Sequence, residues 1–270
     1  MNIGLLGFGV VGGGVWELAQ ENRALNVKKV LVRREAPSLG KAAVQDVEAI
    51  LRDTEIDTVV EVLGGLHPAY EWICRALAAG KDVVTANKAV ISAYYRELTA
   101  LARENGVALR CTAAVGGGIP WLVNLQRCRR VDTVTEVGGI MNGTTNFIMD
   151  AMARQGADFP AVLQRAQELG YAEADPSADI DGDDIRRKLT ISANIAFDAL
   201  LREEDIPAFG IRTVTGADVA DFRAHGFTCK LLACAQRTET GVAAYVEPAL
   251  VAEGEPEAAV PGNYNLISCT

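Results

Sequence analysis

Apolar runs and amphipathic segments alternate along the first half of the chain. An apolar run at residues 3–6 precedes a glycine-rich turn and an amphipathic segment. Four further apolar runs predict strands, at residues 28–32, 58–63, 82–85 and 107–111. Two amphipathic segments predict helices between them, at residues 67–79 and 91–104. Strands that alternate with helices favour a parallel sheet covered on both faces, so we predict a Rossmann-type α/β domain over residues 1–128.

The pattern changes in the second half. Residues 133–140 alternate between apolar and polar positions, which predicts a half-buried strand of a second sheet. Helical periodicity follows in three segments, at residues 146–154, 159–169 and 184–201. We therefore predict an α+β domain over residues 129–270.

The last of these helical segments carries apolar residues on more than one side: Ile185, Leu189, Ile191, Ile195, Phe197, Leu200 and Leu201. A domain of this size has limited core volume of its own. Surplus apolar surface is usually buried against a second copy, most often about a two-fold axis. The pattern thus favours a homodimer, and the alternative is a self-sufficient core with a few exposed apolar residues.

The glycine-rich turn near the N-terminus reads Gly7-Phe8-Gly9-Val10-Val11-Gly12, between a strand and a helix. This is the G-x-G-x-x-G pattern in the context that dinucleotide binding requires. Gly7 allows the tight turn, Gly9 lets the backbone approach a pyrophosphate, and Gly12 lets helix and strand pack closely. The free N–H groups and the positive end of the helix dipole suit phosphate. We expect a nicotinamide cofactor here.

The end of the second strand bears on cofactor choice. It ends in Arg33 and Arg34, where an NAD-specific site usually carries an acidic residue for the ribose. An arginine at this place accommodates a 2′-phosphate, which favours NADP. Glu35 follows one position later and leaves NAD possible.

Two further junctions each admit two interpretations. Thr85-Ala86-Asn87-Lys88 follows a strand at the edge of the sheet where open α/β folds bind ligands, but it also reads as a helix-capping turn with a solvated lysine. The glycines at 116–118 allow close approach of a ligand or carbonyl coordination of an ion, or they form a flexible hinge.

Residues 170–188 form an acidic segment, with Glu173 and five aspartates in a loop broken by proline and glycine. Asp184 and Lys188 are four residues apart on a predicted helix, so they share one face at ion-pair distance. A calcium loop is excluded, because Lys188 falls where a bidentate glutamate is required. Aspartates at a helix N-terminus are a plainer explanation that leaves Glu173 unexplained. A cationic substrate group or a buried lysine would account for so many acids, and the segment therefore predicts a small substrate that bears an amine.

Composition narrows the class of protein. The 270 residues are 49% hydrophobic and 23% charged, with a net charge of −9, which indicates a folded globular chain without a basic surface for nucleic acid. No apolar stretch approaches the length of a membrane span, and the apolar start lacks the basic region of a signal peptide. The six cysteines show no metal or disulfide spacing, so we expect them to be reduced and buried, as in a cytoplasmic protein.

Four segments together resemble the homoserine dehydrogenase family. They are residues 3–12, residues 84–89, the run Ile140-Met141-Asn142-Gly143-Thr144-Thr145-Asn146-Phe147, and residues 170–188. The last segment matches the family's diagnostic signature, and the likeness covers nearly the whole chain. The first is shared by many dehydrogenases, whereas the other three together are specific.

The resemblance implies reversible interconversion of L-aspartate 4-semialdehyde and L-homoserine with NAD or NADP, on the route to threonine and methionine. It implies that Lys188 is the acid/base, that Asp184 orients it, and that Lys88 is the second lysine of the site. The substrate-binding residues implied are Glu173, Asp179, Thr144 and Lys188, and Thr85 and Lys88 are implied at the cofactor. A homodimer joined through the substrate domains is also implied.

The resemblance further implies a sodium or potassium ion held by the carbonyls of Val115, Gly117 and Ile119. Thr112 stands where the family has a glutamate ligand, so the metal site loses its formal charge. Relatives also continue beyond residue 270 with a segment that returns to the cofactor domain.

Two alternatives to homoserine dehydrogenase activity stay open. A related amino- or oxo-acid dehydrogenase would keep the glycine turn but would not need Glu173, Asp184 and Lys188 at this spacing. A truncated homologue that binds nucleotide without turnover would keep both the glycine turn and the spacing of these three residues.

Overall fold

The computed structural model describes residues 1–34 and 36–270, and the chain forms two compact units, Met1–Gly118 and Ile119–Thr270. The division comes ten residues earlier than the predicted boundary between residues 128 and 129. A helix at Trp121–Cys128 accounts for the difference, because Trp121 Nε1 donates a hydrogen bond to Ser192 Oγ in the second unit, over 2.9 Å.

A six-stranded sheet is the centre of the first unit. Its strands are β1 (Asn2–Leu6), β2 (Asn26–Leu31), β3 (Ala43–Val44), β4 (Thr58–Glu61), β5 (Asp82–Thr85) and β6 (Leu109–Arg110). They lie in the order β3-β2-β1-β4-β5-β6, and each pairing is parallel. This is the order of a doubly wound dinucleotide-binding fold, so the predicted Rossmann-type domain is confirmed.

Helices of the first unit connect the parallel strands. They are α1 (Val10–Glu21), α2 (Glu48–Leu51), α3 (Ala69–Ala78) and α4 (Lys88–Glu104), with 3₁₀ turns at Pro37–Ala42 and Thr112–Ala114. Buried Ile3, Leu5, Val30, Leu39 and Val60 form a core cluster, because strands covered on both faces need apolar side chains on both. The strand predicted at 107–111 forms only two residues of ladder.

The second unit builds an antiparallel sheet with helices. Its strands are β7 (Glu136–Ile140), β8 (Phe227–Thr238), β9 (Gly241–Ala252) and β10 (Leu266–Cys269), in the order β10-β7-β8-β9. Its helices are α5 (Trp121–Cys128), α6 (Gly143–Gln155), α7 (Phe159–Glu168), α8 (Ser177–Ile180), α9 (Asp183–Phe197) and α10 (Gly216–Ala224), with 3₁₀ turns at Glu203–Asp205 and Pro256–Ala259. The predicted α+β class is confirmed.

The helix predicted at 184–201 is shorter than expected. It ends at Phe197 because Asp198 takes the left-handed conformation, with φ of 53°. Leu200 and Leu201 therefore lie beyond the helix and do not extend its apolar face.

None of the predicted elements covers the long hairpin of β8 and β9, which pairs Phe227 with Ala252 through to Thr238 with Gly241. A strand signal was present in β8, where Cys229, Leu231, Ala233 and Ala235 are buried at alternate positions. Small side chains and an intervening lysine weakened this alternation.

The prediction that the six cysteines are buried is wrong for four of them. All six thiols are free, but only Cys111 and Cys229 are buried, and Cys128 is exposed. Cys128 is at the last turn of α5, at the edge of an amphipathic helix, where the side chain meets solvent. No helix in the described part of the chain has the length and apolar character that a membrane crossing requires.

Candidate functional site

The glycine turn of the first unit has the backbone that its sequence predicts. Gly7 has φ of 106°, and a Cβ on Gly12 would lie 2.3 Å from the carbonyl oxygen of Gly7. Side chains at these two positions would disrupt the turn. A Cβ on Gly9 would meet no atom within 4 Å, so the backbone there borders open space. The turn thus leaves room for a ligand against bare backbone.

Helix α1 begins directly after this turn, at Val10. Its first turn contains no acidic residue, and no side chain caps it. Val10 is 96% exposed, while Phe8 packs edge-on against Trp16 with ring centroids 6.5 Å apart. An uncapped N-terminus with free N–H groups is a site that fits a pyrophosphate.

A buried carboxylate lies where β4 ends. Glu61 is fully buried, and its carboxylate accepts hydrogen bonds from Leu63 N at 2.8 Å, Thr85 Oγ1 at 2.6 Å and Asn87 Nδ2 at 3.3 Å. Sequence reasoning missed this residue, although an acid at the end of an apolar strand was a visible signal. Glu61 joins the ends of β4 and β5, so it fixes the edge where the cofactor-binding candidates lie.

The Thr85–Lys88 turn shows the capping role that was one of its two interpretations. Asn87 Oδ1 accepts from Val90 N at 3.3 Å, and Thr85 Oγ1 accepts from Asn87 N at 2.9 Å. The Thr85 hydroxyl is therefore engaged within the chain. Lys88 is the first residue of α4 and is half-buried, at the carboxyl edge of the sheet.

Arg33 and Arg34 are both exposed, and one residue separates them from the end of β2. Glu35, the alternative acidic partner for a ribose, lies outside the described residues. A cavity of about 330 Å³ opens beside this strand end, and its lining residues are Val32, Ala36, Pro37, Gly40, Ala43 and Gln45. Val32 and Ala36 of the cavity lining flank the two arginines in the sequence, and neither arginine lines the cavity itself.

In the second unit, Lys188 and Asp184 form the predicted ion pair on α9. Lys188 Nζ lies 2.7 Å from Asp184 Oδ2, and the side chains are 15% and 6% exposed. Lys188 Nζ also donates to the carbonyl oxygen of Met141 at 2.6 Å. Charge-assisted hydrogen bonds of this length hold the ammonium in one place.

The turn between β7 and α6 organises the acidic residues. Asn142 is buried, and its Nδ2 donates to Asp179 Oδ1 at 2.7 Å and to Asp184 Oδ2 at 3.0 Å. Two residues on, Thr144 Oγ1 donates to the carbonyl oxygen of Tyr171 at 2.5 Å. The structure therefore brings together Asp179, Asp184 and Lys188, with Thr144 in the adjoining turn.

Glu173 is exposed, unlike Asp184. Its carbonyl oxygen accepts from Gln167 Nε2 at 3.0 Å, which ties the loop to the end of α7. The loop before it is held by Tyr171, whose ring packs on Phe147 with centroids 5.1 Å apart. Glu173 thus presents its carboxylate from an anchored loop.

Much of the acidic segment is neutralised within the chain. Asp181 makes a two-point ion pair with Arg212, one contact of which is 2.8 Å, and this guanidinium holds the pKa of Asp181 below its usual value. Asp183 pairs with Arg186 at 2.6 Å. Asp175 accepts from Ser177, whose hydroxyl and N–H lower its pKa. These arginine and serine contacts account for part of the acidic segment, and the largely buried Lys188 beside Asp184 is the buried lysine that was the alternative to a cationic substrate group.

The three carbonyls expected to hold a cation fall on both sides of the division: Val115 and Gly117 in the first unit, Ile119 in the second. Thr112 lies in a 3₁₀ turn of the first unit. Among residues 1–34 and 36–270, no cluster of three or more His, Cys, Asp or Glu side chains is suited to a metal ion.

Comparison with known proteins agrees with this geometry. The family model described as homoserine dehydrogenase matches residues 120–270, and the model of the homoserine dehydrogenase NAD binding domain matches residues 7–112. The chain belongs to the homoserine dehydrogenase family. The resemblance seen in the sequence is thus confirmed, and the two matched regions agree with the two units.

Members of the homoserine dehydrogenase family align along the whole chain. The homoserine dehydrogenase of Synechocystis sp. is 42% identical over 286 residues, which cover 100% of this chain and 66% of that protein. The crystal structure of a homoserine dehydrogenase from Thiobacillus denitrificans superposes with a TM-score of 0.93 at 39% identity, covering 99% of this chain and 65% of the other.

A hyperthermophilic archaeal homoserine dehydrogenase in complex with NADPH superposes with a TM-score of 0.82 at 25% identity, covering 99% and 87% of the two chains. The chain therefore spans about two thirds of the Synechocystis and Thiobacillus proteins and most of the archaeal one.

Proposed function

We propose that this chain carries out the NAD(P)-dependent interconversion of L-aspartate 4-semialdehyde and L-homoserine, in threonine and methionine biosynthesis. The observation that carries the proposal is the largely buried Asp184–Lys188 pair, with Lys188 held at 2.6 Å from the Met141 carbonyl. Membership of the homoserine dehydrogenase family supports it.

The chemistry needs a proton donor at the aldehyde oxygen. The cofactor supplies or accepts the hydride, and the glycine turn and open N-terminus of α1 are the residues that would hold its pyrophosphate. When hydride adds to an aldehyde, the oxygen becomes an alkoxide. A positioned ammonium stabilises that charge and then protonates it, and Lys188 is the residue we assign to this step.

Asp184 has the role of orienting Lys188, since its carboxylate is 2.7 Å from Lys188 Nζ. We assign Lys88, at the start of α4, as the second lysine of the reaction. In the reverse direction Lys188 accepts the hydroxyl proton, so it must alternate between its two protonation states.

Substrate recognition in this proposal uses the anchored acidic loop. Glu173 is exposed and presents a carboxylate suited to the amino group of homoserine. Asp179 and Thr144 are further substrate contacts in the proposal, with their side chains set by Asn142 and Tyr171. The hydrogen bonds that already engage them fix their orientation.

We propose NADP as the preferred cofactor, because Arg33 and Arg34 are exposed just after β2, where an arginine accommodates a 2′-phosphate. The archaeal family member in complex with NADPH supports this choice. Changing both arginines to alanine should weaken NADP binding far more than NAD binding, measured by fluorescence titration. Equal losses for the two cofactors would contradict the assignment.

The direct test of the activity is the reduction of NADP and NAD with L-homoserine, followed by absorbance, with and without potassium or sodium. We expect turnover with L-homoserine and a preference for NADP. A dependence on the monovalent cation would support the carbonyl site at residues 115–119. Turnover with another hydroxy amino acid alone would favour the related-dehydrogenase alternative, and cofactor binding without turnover would favour the nucleotide-binding homologue.

We also propose a homodimer joined through the second unit. Cys234 pairs with Tyr245 in the hairpin, and these side chains lie on one face of the sheet with Tyr245 40% exposed. An exposed tyrosine ring is of the residue type that is enriched at protein interfaces. Light scattering at micromolar protein tests this, since a strictly monomeric species would contradict it.

A cytoplasmic location is part of the same proposal. All six cysteines are free, as a reducing compartment would leave them. Fractionation of cells that produce the protein tests this location.

A further inference from the structure

Asn142 is the residue at which the acidic segment and the β7–α6 turn meet. Its Nδ2 donates to Asp179 Oδ1 at 2.7 Å and to Asp184 Oδ2 at 3.0 Å. An amide nitrogen has two protons, so both are used on carboxylates. Two carboxylates that converge on one point repel each other, and the shared donor offsets this repulsion between the buried Asp184 and the partly buried Asp179.

The other end of the same amide is fixed by the backbone. Asn142 Oδ1 accepts from Thr145 N at 2.9 Å, which caps the N-terminus of α6. Because a backbone N–H can only donate, this contact decides which end of the amide faces the carboxylates. Rotation of the amide would break the cap and both carboxylate bonds at once.

Met141, the residue before Asn142, holds Lys188, which is the ion-pair partner of Asp184. The carbonyl oxygen of Met141 accepts from Lys188 Nζ at 2.6 Å, so consecutive residues hold the lysine and its carboxylate. A small movement of either one would change the distance between Lys188 and the atom that it protonates. Misplacement of about 1 Å can cost roughly 10²-fold in rate.

We propose that Asn142 is a positioning residue, whose shared amide sets Asp179 and Asp184 so that Lys188 meets the reacting oxygen. The loss of turnover that we expect from this inference rests on the proposed function. The hydrogen-bond arrangement itself is independent of that function and is tested separately.

The competing explanation is that Asn142 only caps α6. Serine is a good N-cap but lacks the second donor, so Asn142→Ser keeps the cap and removes the shared amide. Thr215→Ala is the matched control, because Thr215 caps α10 in the same unit by accepting from Asp218 N. It removes a cap without touching the carboxylates of the site.

The experiment measures melting temperature, kcat, KM for L-homoserine and the pH profile of kcat for the three proteins. We expect Asn142→Ser to melt below wild type, because two hydrogen bonds to carboxylates are lost, and to lose about 10²-fold in kcat with a smaller change in KM and a shifted pH profile. Thr215→Ala should melt lower and keep its kcat and pH profile. Wild-type kcat and pH profile in Asn142→Ser would overturn the inference.

A double-mutant cycle in urea unfolding pairs Asn142→Ser with Asp179→Ala and needs no activity. We expect the two changes to be non-additive, because each removes the same hydrogen bond. Additive effects would overturn the positioning arrangement. If the two effects are non-additive but the wild-type chain does not oxidise homoserine, the proposed function is overturned and the hydrogen-bond arrangement stands.

Discussion

Each unit buries a carboxylate at its candidate site, and the two carboxylates have different partners. In the first unit, the partners of Glu61 are the neutral donors of Leu63, Thr85 and Asn87. In the second, Asp184 has the ammonium of Lys188 at 2.7 Å together with one amide. Both arrangements satisfy the oxygens of a buried carboxyl group, but with donors of different chemistry.

The difference in donors distinguishes a carboxylate that supports the fold from one that can take part in a reaction. The hydroxyl and amide donors around Glu61 do not ionise near neutral pH, so these contacts serve to hold two strand ends in a fixed relation. A lysine ammonium can release its proton, so the Asp184–Lys188 pair can take part in a reaction. In this chain the second-unit carboxylate is thus the one whose partner can supply or accept a proton.

Lys188→Ala is the change that tests this comparison most strongly. It should lower kcat by roughly 10²–10⁴-fold, because general acid–base groups contribute about that much. NADP affinity, measured by fluorescence, should stay near wild type. Arg165→Ala is the control, because it removes an exposed positive charge from α7 in the same unit. Turnover of Lys188→Ala within a few-fold of wild type would remove Lys188 from the role.

Glu173→Gln tests whether the exposed carboxylate of the second unit binds the amine. Losing one charge-assisted contact costs about 1.5–3 kcal/mol, so the KM for homoserine should rise roughly 10–150-fold with little change in kcat. Glu168→Gln, on an exposed residue at the end of α7, is the control. An unchanged KM would show that another group holds the amine.

Glu61→Gln tests the scaffolding half of the comparison. The substitution keeps the shape but replaces one acceptor oxygen with a donor, so the bond from Thr85 must rearrange. We expect about 1.5–3 kcal/mol less stability in urea unfolding, together with weaker NADP binding. Glu104→Gln, at the exposed end of α4, should leave both quantities unchanged. Wild-type stability of Glu61→Gln would mean that the carboxylate does not hold the edge.

The smallest expected effect concerns the exposed Asp181–Arg212 pair. Arg212 lowers the pKa of Asp181 in the folded state. The pair therefore stabilises the protein at pH values above the unfolded pKa of about 4, and this stabilisation is lost as the pH falls through the lower, folded pKa. Arg212→Gln should lower the melting temperature by about 1–3 °C at pH 7, with the difference shrinking below about pH 4. A difference that stays constant down to pH 3 would assign the effect to packing.

The elements of the first unit were largely predictable because each is encoded locally. A strand, a glycine turn and a helix follow one another within residues 2–21, so their order in the sequence is their order in the fold. The hairpin of β8 and β9 was not predicted, because many of its buried positions carry small residues, which give only a weak strand pattern in the sequence.

Within the second unit, the sequence alone determined the face that Asp184 and Lys188 share, since helix geometry fixes residues four apart. Only the tertiary structure decided that Asn142 lies between Asp179 and Asp184, 37 and 42 residues away along the chain, and that Arg212 neutralises Asp181, 31 residues before it. Local periodicity carries no information about contacts across such distances, because they depend on how β7, α6 and α9 pack. The sequence therefore determined the chemical groups of the site, and the packing decided which of them act on one another.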